Sequence, residues 1–255
     1  MDLPSNPFLK AIRSGQPQIG LWLSLANPYA AEIVAGSGYD WVLIDMEHAP
    51  NDLSSVLAQL QVFAAYSTTP LVRPDWNDPV KVKRLLDAGA PGLLFPMIAN
   101  RTEAEAAVAA MRYPPRGQRG VSGSTRANNF GRIKDYFARI EDETALLIQA
   151  ETISALDQIE HLADVDGVDG VFFGPADIGA DLGYLGQPMH EAVWDVIRPA
   201  AQRLIRQGTP VGTIVMDPDF ASRLIDEGFT FVACGSDANL LARGSDALLN
   251  KMRGT

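Results

Sequence analysis

Eight short apolar runs divide this chain, and a pattern typical of a helix follows most of them. Most runs are bounded by Gly or Pro, and several lack alternation, which is typical of strands buried on both faces in a parallel sheet. The predicted strands are Ile19–Leu25, Trp41–Ile44, Leu71–Val72, Gly92–Pro96, Ala145–Gln149, Gly170–Gly174, Val211–Val215 and Phe229–Ala233. The predicted helices are Tyr29–Ala35, Leu53–Ala65, Pro79–Asp87, Thr102–Met111, Ser154–Leu162, Glu191–Gln207 and Asp219–Glu227.

Eight strands that alternate with helices in 255 residues predict an α/β protein. The predicted fold is a (β/α)8 TIM barrel in which residues 1–255 form a single domain. A doubly wound open sheet is the main rival, but that fold places a Gly-rich turn after the first strand, where this chain has SLANPY. Helix-end residues agree with the assignment, because Asp78 precedes Pro79 as an N-cap and Gly89 follows a predicted helix end. The segment Arg112–Asn129 is an exception, since a loop of this length is typically functional or mobile.

Composition narrows the class of protein. Apolar residues make up 47% and charged residues 20%, which excludes a disordered chain. The 31 acidic and 21 basic residues give a net charge of −10, which disfavours nucleic acid as a partner. The single cysteine, Cys234, excludes a disulfide scaffold and suits a reducing compartment. No secretory signal or membrane-length apolar stretch is evident, so we expect a cytoplasmic protein without a membrane partner.

Two carboxylates follow neighbouring predicted strands, Glu151 after strand five and Asp177 after strand six. Active sites of TIM barrels lie where the carboxyl ends of the strands converge. Two like charges about 4 Å apart repel by about 4 kcal/mol at an effective dielectric constant of 20, so a shared proton, an Arg or a cation must offset them. Oxygen ligands without nearby Cys or His favour Mg²⁺ or Mn²⁺. The alternative is that one or both carboxylates cap the following helix.

Strands two and three end in further ionisable residues. His48 follows Asp45 by three positions, and an Asp that fixes the imidazole tautomer leaves the second nitrogen as a base. A purely structural histidine is the alternative. Arg73 ends strand three, where a guanidinium forks onto a substrate carboxylate. It could equally form a structural ion pair with Glu47, Asp45 or Glu151.

Other residue types argue mainly by exclusion. None of the five lysines, Lys10, Lys81, Lys83, Lys134 and Lys251, falls at a predicted strand end, which disfavours a Schiff-base mechanism. No Gly-rich phosphate cradle follows strand seven, so we expect no phosphorylated substrate. Cys234 ends strand eight and suits a buried thiol, and Trp22 suits the core or a pocket wall.

Several sequence motifs occur in order at these strand ends: GLWLSLANPYAAEIVAGSGYDWVLIDMEHAPND, PLVRPDWNDPVKVKRLLDAGA, RYPPRGQRGV, and QAETISAL with GVDGVFFGPADI. In these motifs the chain resembles the HpcH/HpaI aldolase family from about Pro17 to Arg243. The resemblance implies a class II pyruvate aldolase on a TIM barrel of the phosphoenolpyruvate/pyruvate type. Such an enzyme uses a divalent cation (Mg²⁺, Mn²⁺ or Co²⁺) to cleave 4-hydroxy-2-oxo acids, such as 4-hydroxy-2-oxoheptanedioate, reversibly into pyruvate and an aldehyde.

The resemblance also implies roles for residues. It makes Glu151 and Asp177 the metal ligands, Arg73 the group that holds the pyruvate carboxylate and enolate oxygen, and Asp45 with His48 the acid–base pair. The remaining substrate-binding residues are expected to be Gln149, Gly174, Pro175, Ala176, Trp22, Ile214 and Asp87, the last reaching a neighbouring subunit's site. We expect the acceptor side to be formed by Arg112–Asn129, Ile214 and Val215. Met46 stands where the family motif commonly has Gly. A side chain there is able to narrow or reshape the mouth near His48, which leaves the acceptor preference open.

Other functions stay open at this point. Sugar-acid aldolases of the rhamnonate and glucarate type share these motifs. Relatives of the citrate lyase β-subunit have the same kind of barrel and metal but act on a thioester. A non-catalytic barrel that binds oxo acids is an alternative of a different class. The resemblance implies a homohexamer in which the C-terminal helix, about residues 238–252, is exchanged between subunits, although the same pattern also fits an ordinary last barrel helix.

Overall fold

The computed structural model describes residues 1–254, and its eight strands close into a parallel barrel in chain order. The strands are β1 Gln18–Leu23, β2 Trp41–Asp45, β3 Thr69–Arg73, β4 Gly92–Phe95, β5 Ala145–Ala150, β6 Gly170–Phe173, β7 Val211–Val215 and β8 Phe231–Ser236. Strand β1 pairs with β8 to complete the ring. The predicted TIM barrel is therefore confirmed.

Helices alternate with the strands. They are α1 Pro7–Arg13, α2 Pro28–Ala35, α3 Leu53–Phe63, α4 Pro79–Ala88, α5 Arg101–Met111, α6 Tyr136–Arg139, α7 Ile153–Asp157, α8 Ile159–Ala163, α9 Pro175–Asp181, α10 Glu191–Gln207, α11 Pro218–Asp226 and α12 Asp237–Arg253. A 3₁₀ helix, Ile140–Glu143, follows α6. Within residues 1–254, no helix combines the length and apolarity needed to cross a bilayer.

Local sequence explains where these helices begin and end. The side chain of Asp78 accepts hydrogen bonds from the backbone N–H groups of Val80 and Lys81, and Pro79 supplies the first helical residue of α4. The same helix ends at Gly89, whose φ of 94° lies in the left-handed region that favours glycine. Both predicted helix-end residues are confirmed.

The core has two layers. An inner cluster fills the barrel with aromatic rings, among them Trp22, Trp41, Phe172 and Phe231, and an outer cluster lies between the strands and the helices. Gly20 makes room for Trp41, because a Cβ atom at residue 20 would lie 2.2 Å from its ring. Helix α1 adds its apolar face to the inner cluster at the amino ends of the strands. The opposite, carboxyl end is therefore the open end of the barrel.

Apart from small shifts in element bounds, the structure differs from the prediction in three respects. The predicted helix Ser154–Leu162 is two helices, because Gln158 leaves the helical region at φ −119° and ψ 24°. Helices α1, α6 and α9 were not predicted, since none is longer than seven residues and each therefore carries little periodicity. Strand β8 extends to Ser236, so that Cys234 lies within the strand, partly buried against the outer cluster. The prediction that Cys234 ends the strand is wrong.

Candidate active site at the carboxyl end of the barrel

Arg73 is held by a carboxylate on the neighbouring strand. The register of β2 and β3 sets Asp45 opposite Arg73. The guanidinium donates from Nε to Asp45 Oδ1 at 2.9 Å and from Nη2 to Oδ2 at 2.7 Å, and both residues are buried. Burial opposes ionisation of Asp45, but the hydrogen bonds and charge of Arg73 outweigh it and lower the pKa of that carboxyl. The fork therefore fixes the Arg73 head in one orientation.

Glu47 is a second carboxylate beside the same guanidinium. Its Oε2 lies 2.9 Å from Arg73 Nη1, but the angles are not those of a hydrogen bond, and this buried oxygen has no donor. Burial raises the pKa of Glu47, while the charges of Arg73 and His48 oppose that rise. Sequence reasoning treated Glu47 only as a possible ion-pair partner of Arg73. Its position in DMEH, between Asp45 and His48, is the one feature that could have identified it.

The predicted pair of Asp45 with the His48 imidazole is wrong for this structure. Asp45 Oδ1 accepts hydrogen bonds from the backbone N–H groups of Glu47 at 3.0 Å and His48 at 3.4 Å, and both carboxylate oxygens are taken by Arg73. The His48 imidazole lies instead near Glu47, with 3.9 Å between Nε2 and Oε1. Its side chain is 66% exposed. A charge-assisted bidentate bond to an arginine is stronger than a bond to a neutral imidazole, which explains the choice of partner.

Glu151 follows β5 and lies beside β6, as the predicted order of strands requires. Its Oε1 accepts from Gln149 Nε2 at 2.5 Å, and its Oε2 accepts from the backbone N–H of Met97 at 2.8 Å. Gly174 permits this arrangement, since a Cβ atom there would lie 2.8 Å from Glu151 Cγ and Oε1. Thr152, not Glu151, caps α7. Glu151 is therefore not a helix cap.

Asp177 lies in the first turn of α9 and is exposed, where the helix dipole favours a negative charge. It acts electrostatically on its neighbours. Burial raises the pKa of Glu151 to about 8, the Met97 N–H opposes the rise, and the charges of Asp177 and Glu47 add to it. Three carboxylates thus share one end of the barrel with a single buried guanidinium that Asp45 already neutralises.

This donor set fits a divalent cation. Within residues 1–254, no three or more His, Cys, Asp or Glu side chains are arranged as a ready-made metal cage. Mg²⁺, however, keeps several waters and commonly binds through one or two carboxylates. Glu151 and Asp177 provide that pair. A cation between them would counter both the burial and the neighbouring negative charges that raise the pKa of Glu151.

Gln149 and two apolar residues complete the site. Gln149 accepts from Arg73 Nη1 at 3.5 Å and donates to Glu151, so it joins the arginine to the carboxylate pair. Trp22 lies beneath the guanidinium, with 5.3 Å between its ring centroid and Arg73 Cζ. Ile214 is partly exposed and packs on the inner cluster. Both apolar residues are placed as pocket walls, and Gly174, Pro175 and Ala176 run beside them into α9.

Asp87 and the loop Arg112–Asn129 lie at the amino end of the barrel. Asp87 ion-pairs with Arg119 at 2.9 Å, and the backbone N–H of Ala127 donates to the carbonyl of Asp87. The loop follows helix α5 and leads toward β5, so it must run past the amino ends of the strands. The expectation that this loop lines the acceptor side is wrong within one chain, and Asp87 could reach an active site only in another copy.

One further expectation about the acceptor side is also wrong. Val215 is buried in the outer cluster, because successive residues of a strand point to opposite faces and Ile214 points inward. Met46 is half-buried and packs against the same outer cluster, and its effect on the mouth near His48 stays a prediction. A cavity of about 610 Å³ lies far from these carboxylates, at the amino end, and Arg119 and Arg126 line it.

Comparison with known proteins places this geometry in a family. Residues 18–244 match the family model described as HpcH/HpaI aldolase/citrate lyase. The chain belongs to this family. It is 53% identical over 248 residues to a pyruvate aldolase of Rhizobium etli, covering 97% of this chain and 98% of that one. It is 51% identical over 244 residues to a 4-hydroxy-2-oxo-heptane-1,7-dioate aldolase of Salmonella arizonae, covering 95% and 93%.

A solved structure agrees with the assignment. The HpcH/HpaI aldolase/citrate lyase family protein from Burkholderia cenocepacia J2315 superimposes with a TM-score of 0.94 at 38% identity, covering 98% of this chain and 100% of that one. These relatives confirm the predictions of the family, the enzyme class and the barrel. The roles of individual residues stay predictions.

Proposed function

We propose that the protein cleaves 4-hydroxy-2-oxo acids reversibly into pyruvate and an aldehyde by class II chemistry. The carboxylates of Glu151 and Asp177, together with the oriented guanidinium of Arg73, are the observation that supports this most directly. Relatives at about half identity are named as aldolases, and the family model describes aldolases. Cleavage needs a base for the 4-hydroxyl proton and positive charge for the departing enolate.

Glu151 and Asp177 would hold the divalent cation, and Mg²⁺, Mn²⁺ and Co²⁺ are the candidates. When bound there, the cation would supply Lewis-acid stabilisation of the negative charge that develops on the substrate. The chain itself holds the Glu151 carboxylate in position for the cation, because the backbone N–H of Met97 and the side-chain amide of Gln149 each donate to one of its oxygens. We expect these two hydrogen bonds to orient Glu151, and through it the cation.

Arg73 supplies the second positive charge. Nε and Nη2 are occupied by Asp45, whereas Nη1 has only the long contact to Gln149 and the poorly angled one to Glu47. We propose that Nη1 donates to the pyruvate carboxylate and to the oxygen on which enolate charge develops. The Asp45 fork and the Trp22 ring keep the guanidinium from moving while this charge forms.

His48 is proposed as the base that removes the 4-hydroxyl proton and returns a proton to pyruvate C3. Its imidazole is exposed and can therefore approach a substrate. Among the ion pairs within residues 1–254, its one partner is Glu47. Asp45 contributes indirectly, because it orients both Arg73 and the backbone of the turn that carries His48. Asp45 is thus a positioning residue.

Turnover combined with chemical trapping tests the class of mechanism. The protein, supplied with Mn²⁺, is expected to release pyruvate from 4-hydroxy-2-oxoheptanedioate and to form no borohydride-trapped pyruvate adduct, because no lysine lies in a strand or in a loop that follows one. Cleavage of an acyl-CoA instead would favour the thioester reaction. Tight pyruvate binding without turnover of any aldehyde would favour a non-catalytic barrel, and an adduct on a lysine would contradict class II chemistry.

We also propose a homo-oligomer, with a hexamer expected from the family resemblance. Helix α12 exposes large apolar side chains along its length: Leu240, Leu241, Leu248, Leu249 and Met252. Such a stripe is typical of a helix that packs against another chain. Light scattering after gel filtration is expected to give a mass of several chains, and Leu241→Asp with Leu248→Asp is expected to lower it.

A further inference from the structure

The turn after β2 carries His48 and leaves its side chain largely exposed, so the position of the imidazole depends on the backbone of residues 46–51. The start of this turn is fixed by the sheet, because Asp45 pairs with Arg73 of β3. The Asp45 side chain also accepts from the backbone N–H groups of Glu47 and His48. The far end of the turn needs a restraint of its own.

Asn51 supplies that restraint. Its side-chain amide donates from Nδ2 to the backbone carbonyl of Asp45 at 2.7 Å, across a separation of 6 residues. The next residue, Asp52, is the N-cap of α3, and its carboxylate accepts from the backbone N–H of Ser55 at 2.8 Å. The Asn51 amide therefore ties the end of the turn to its start, with His48 between them.

Gln59 of α3 fixes the orientation of the Asn51 amide. Its Nε2 donates to Asn51 Oδ1 at 2.7 Å, and the hydroxyl of Ser55 donates to the same oxygen at 2.9 Å. Because Oδ1 accepts both of these donors, the Nδ2 group of Asn51 must face the carbonyl of Asp45.

Gln59 is a polar residue at a position where the helix calls for an apolar one. The other buried residues of α3 are Val56, Leu60 and Phe63, and Gln59 is 1% exposed among them. An apolar side chain there would avoid the desolvation cost of a buried amide. Packing of α3 therefore does not explain this residue. Its contacts with Asn51 and Ser55 lie within one chain, so they do not depend on a neighbouring copy.

We infer that Asn51 and Gln59 are positioning residues that hold the turn so that the His48 imidazole meets the reacting proton. Gln59 acts through Asn51, and Asn51 acts through the backbone of the turn. The inference rests on the proposed role of His48 as the base and extends that role to the residues behind the turn. A misplacement of about 1 Å in a reacting group can cost about a hundredfold in rate. The residues proposed to bind pyruvate and the cation lie on other strands and helices, so this binding should not change.

Isotope exchange tests the inference with variants that remove single contacts. Asn51→Asp removes the donor to the Asp45 carbonyl, and Gln59→Leu removes the donor to Asn51. With saturating Mn²⁺, the maximal rate of deuterium exchange at pyruvate C3 is expected to fall about tenfold in Asn51→Asp and about threefold in Gln59→Leu, while KM for pyruvate stays within about twofold. The melting temperature of Gln59→Leu should not fall, because the Ser55 hydroxyl still donates to Asn51 Oδ1.

Asn77→Asp is the matched control for the exchange rates. It also removes a side-chain donor to a backbone carbonyl, that of Glu103, from a loop at the same end of the barrel, and it should exchange normally. A loss of exchange in Asn77→Asp equal to that in Asn51→Asp would overturn the inference. Slowing in Asn51→Asp alone would remove Gln59 from it.

A double-mutant cycle separates positioning of His48 from a general structural effect. In a His48→Ala background, Asn51→Asp should slow exchange little further, because the base that it positions is absent. An equal loss with and without His48, or normal exchange in both Asn51→Asp and Gln59→Leu, overturns the inference. Absence of exchange in the wild type would reject the proposed function, and normal exchange in His48→Ala would reject its base. Either result removes the inference as well, and each is distinguishable from its own failure.

Discussion

The two ends of the barrel use charge in opposite ways. At the amino end, three arginines each pair with a carboxylate, at 2.7 to 2.9 Å: Arg119 with Asp87, Arg13 with Asp169 and Arg112 with Asp166. The buried Nε of Arg119 has no acceptor, but no carboxylate is in surplus among these pairs. At the carboxyl end, four carboxylates, Asp45, Glu47, Glu151 and Asp177, share one buried guanidinium, and a buried oxygen of Glu47 has no donor.

This difference indicates which charged residues take part in catalysis and which ones stabilise the fold. A paired set of charges can be explained by folding alone, whereas a buried surplus of one sign costs stability unless a ligand neutralises it. Changes at the carboxyl end should therefore alter turnover, with or without a loss of stability, whereas changes at the amino end should alter stability alone. The predictions below test that separation.

Arg73→Lys is expected to have the largest effect. A lysine cannot keep the Asp45 fork while also donating to pyruvate, so kcat/KM for aldol cleavage should fall by roughly a thousandfold. Arg112→Lys, in the ion pair with the exposed Asp166, is the matched control at the amino end and should retain normal turnover. Near-normal kinetics for Arg73→Lys would remove Arg73 from the proposed role.

His48→Ala is expected to slow deuterium exchange at pyruvate C3 by about a hundredfold or more, the usual contribution of a general base. The melting temperature should not change, because the side chain is 66% exposed. His161→Ala, an exposed position on α8, is the control. If exchange continues at the normal rate without His48, another group must be the base.

Asp45→Asn tests how far the buried ion pair with Arg73 stabilises the fold. It should destabilise the fold by about 3 kcal/mol near neutral pH, since Arg73 would lose a buried ionic partner. The pKa of Asp45 is lowered in the folded state, so its stabilising effect is complete above the unfolded value of roughly 3.9 and is lost as the pH falls through the folded value. Urea unfolding should therefore show the wild-type advantage shrinking below about pH 4; a constant difference would contradict this linkage.

Arg119→Ala is the counterpart at the amino end. It removes a buried guanidinium that pairs with Asp87 and stacks 4.6 Å from the Tyr113 ring, so about 2 kcal/mol of stability should be lost. At a temperature where the variant is folded, kcat for aldol cleavage should stay within about twofold of the wild type. A large loss of kcat would show that the two ends are not independent.

The fold could be predicted because local chemistry marks its boundaries. As expected, Asp78 begins α4 and Gly89 ends it, and the apolar runs form strands. The order of strands β5 and β6 then predicted that Glu151 and Asp177 would share one end of the barrel. These inferences depend on residues close in sequence or on the repeating topology, which a single sequence carries.

The partners within the site could not be predicted in the same way. Asp45 lies near both His48 and Arg73, and only the three-dimensional register showed that the guanidinium takes both carboxylate oxygens. The loop Arg112–Asn129 was assigned by composition, although its place after a helix already located it at the amino end. Val215 was misassigned because one residue of strand register exchanges the inner and outer faces.

Cation binding tests the assignment of Glu151 and Asp177 most directly, without relying on turnover. The metal-free protein is titrated with Mn²⁺ in a calorimeter, alongside Glu151→Gln, Asp177→Asn and the amino-end control Asp166→Asn. One ion should bind per chain in the wild type and the control, and affinity should fall at least a hundredfold in each of the other two variants. Unchanged Mn²⁺ affinity in both Glu151→Gln and Asp177→Asn would contradict a cation held by this pair.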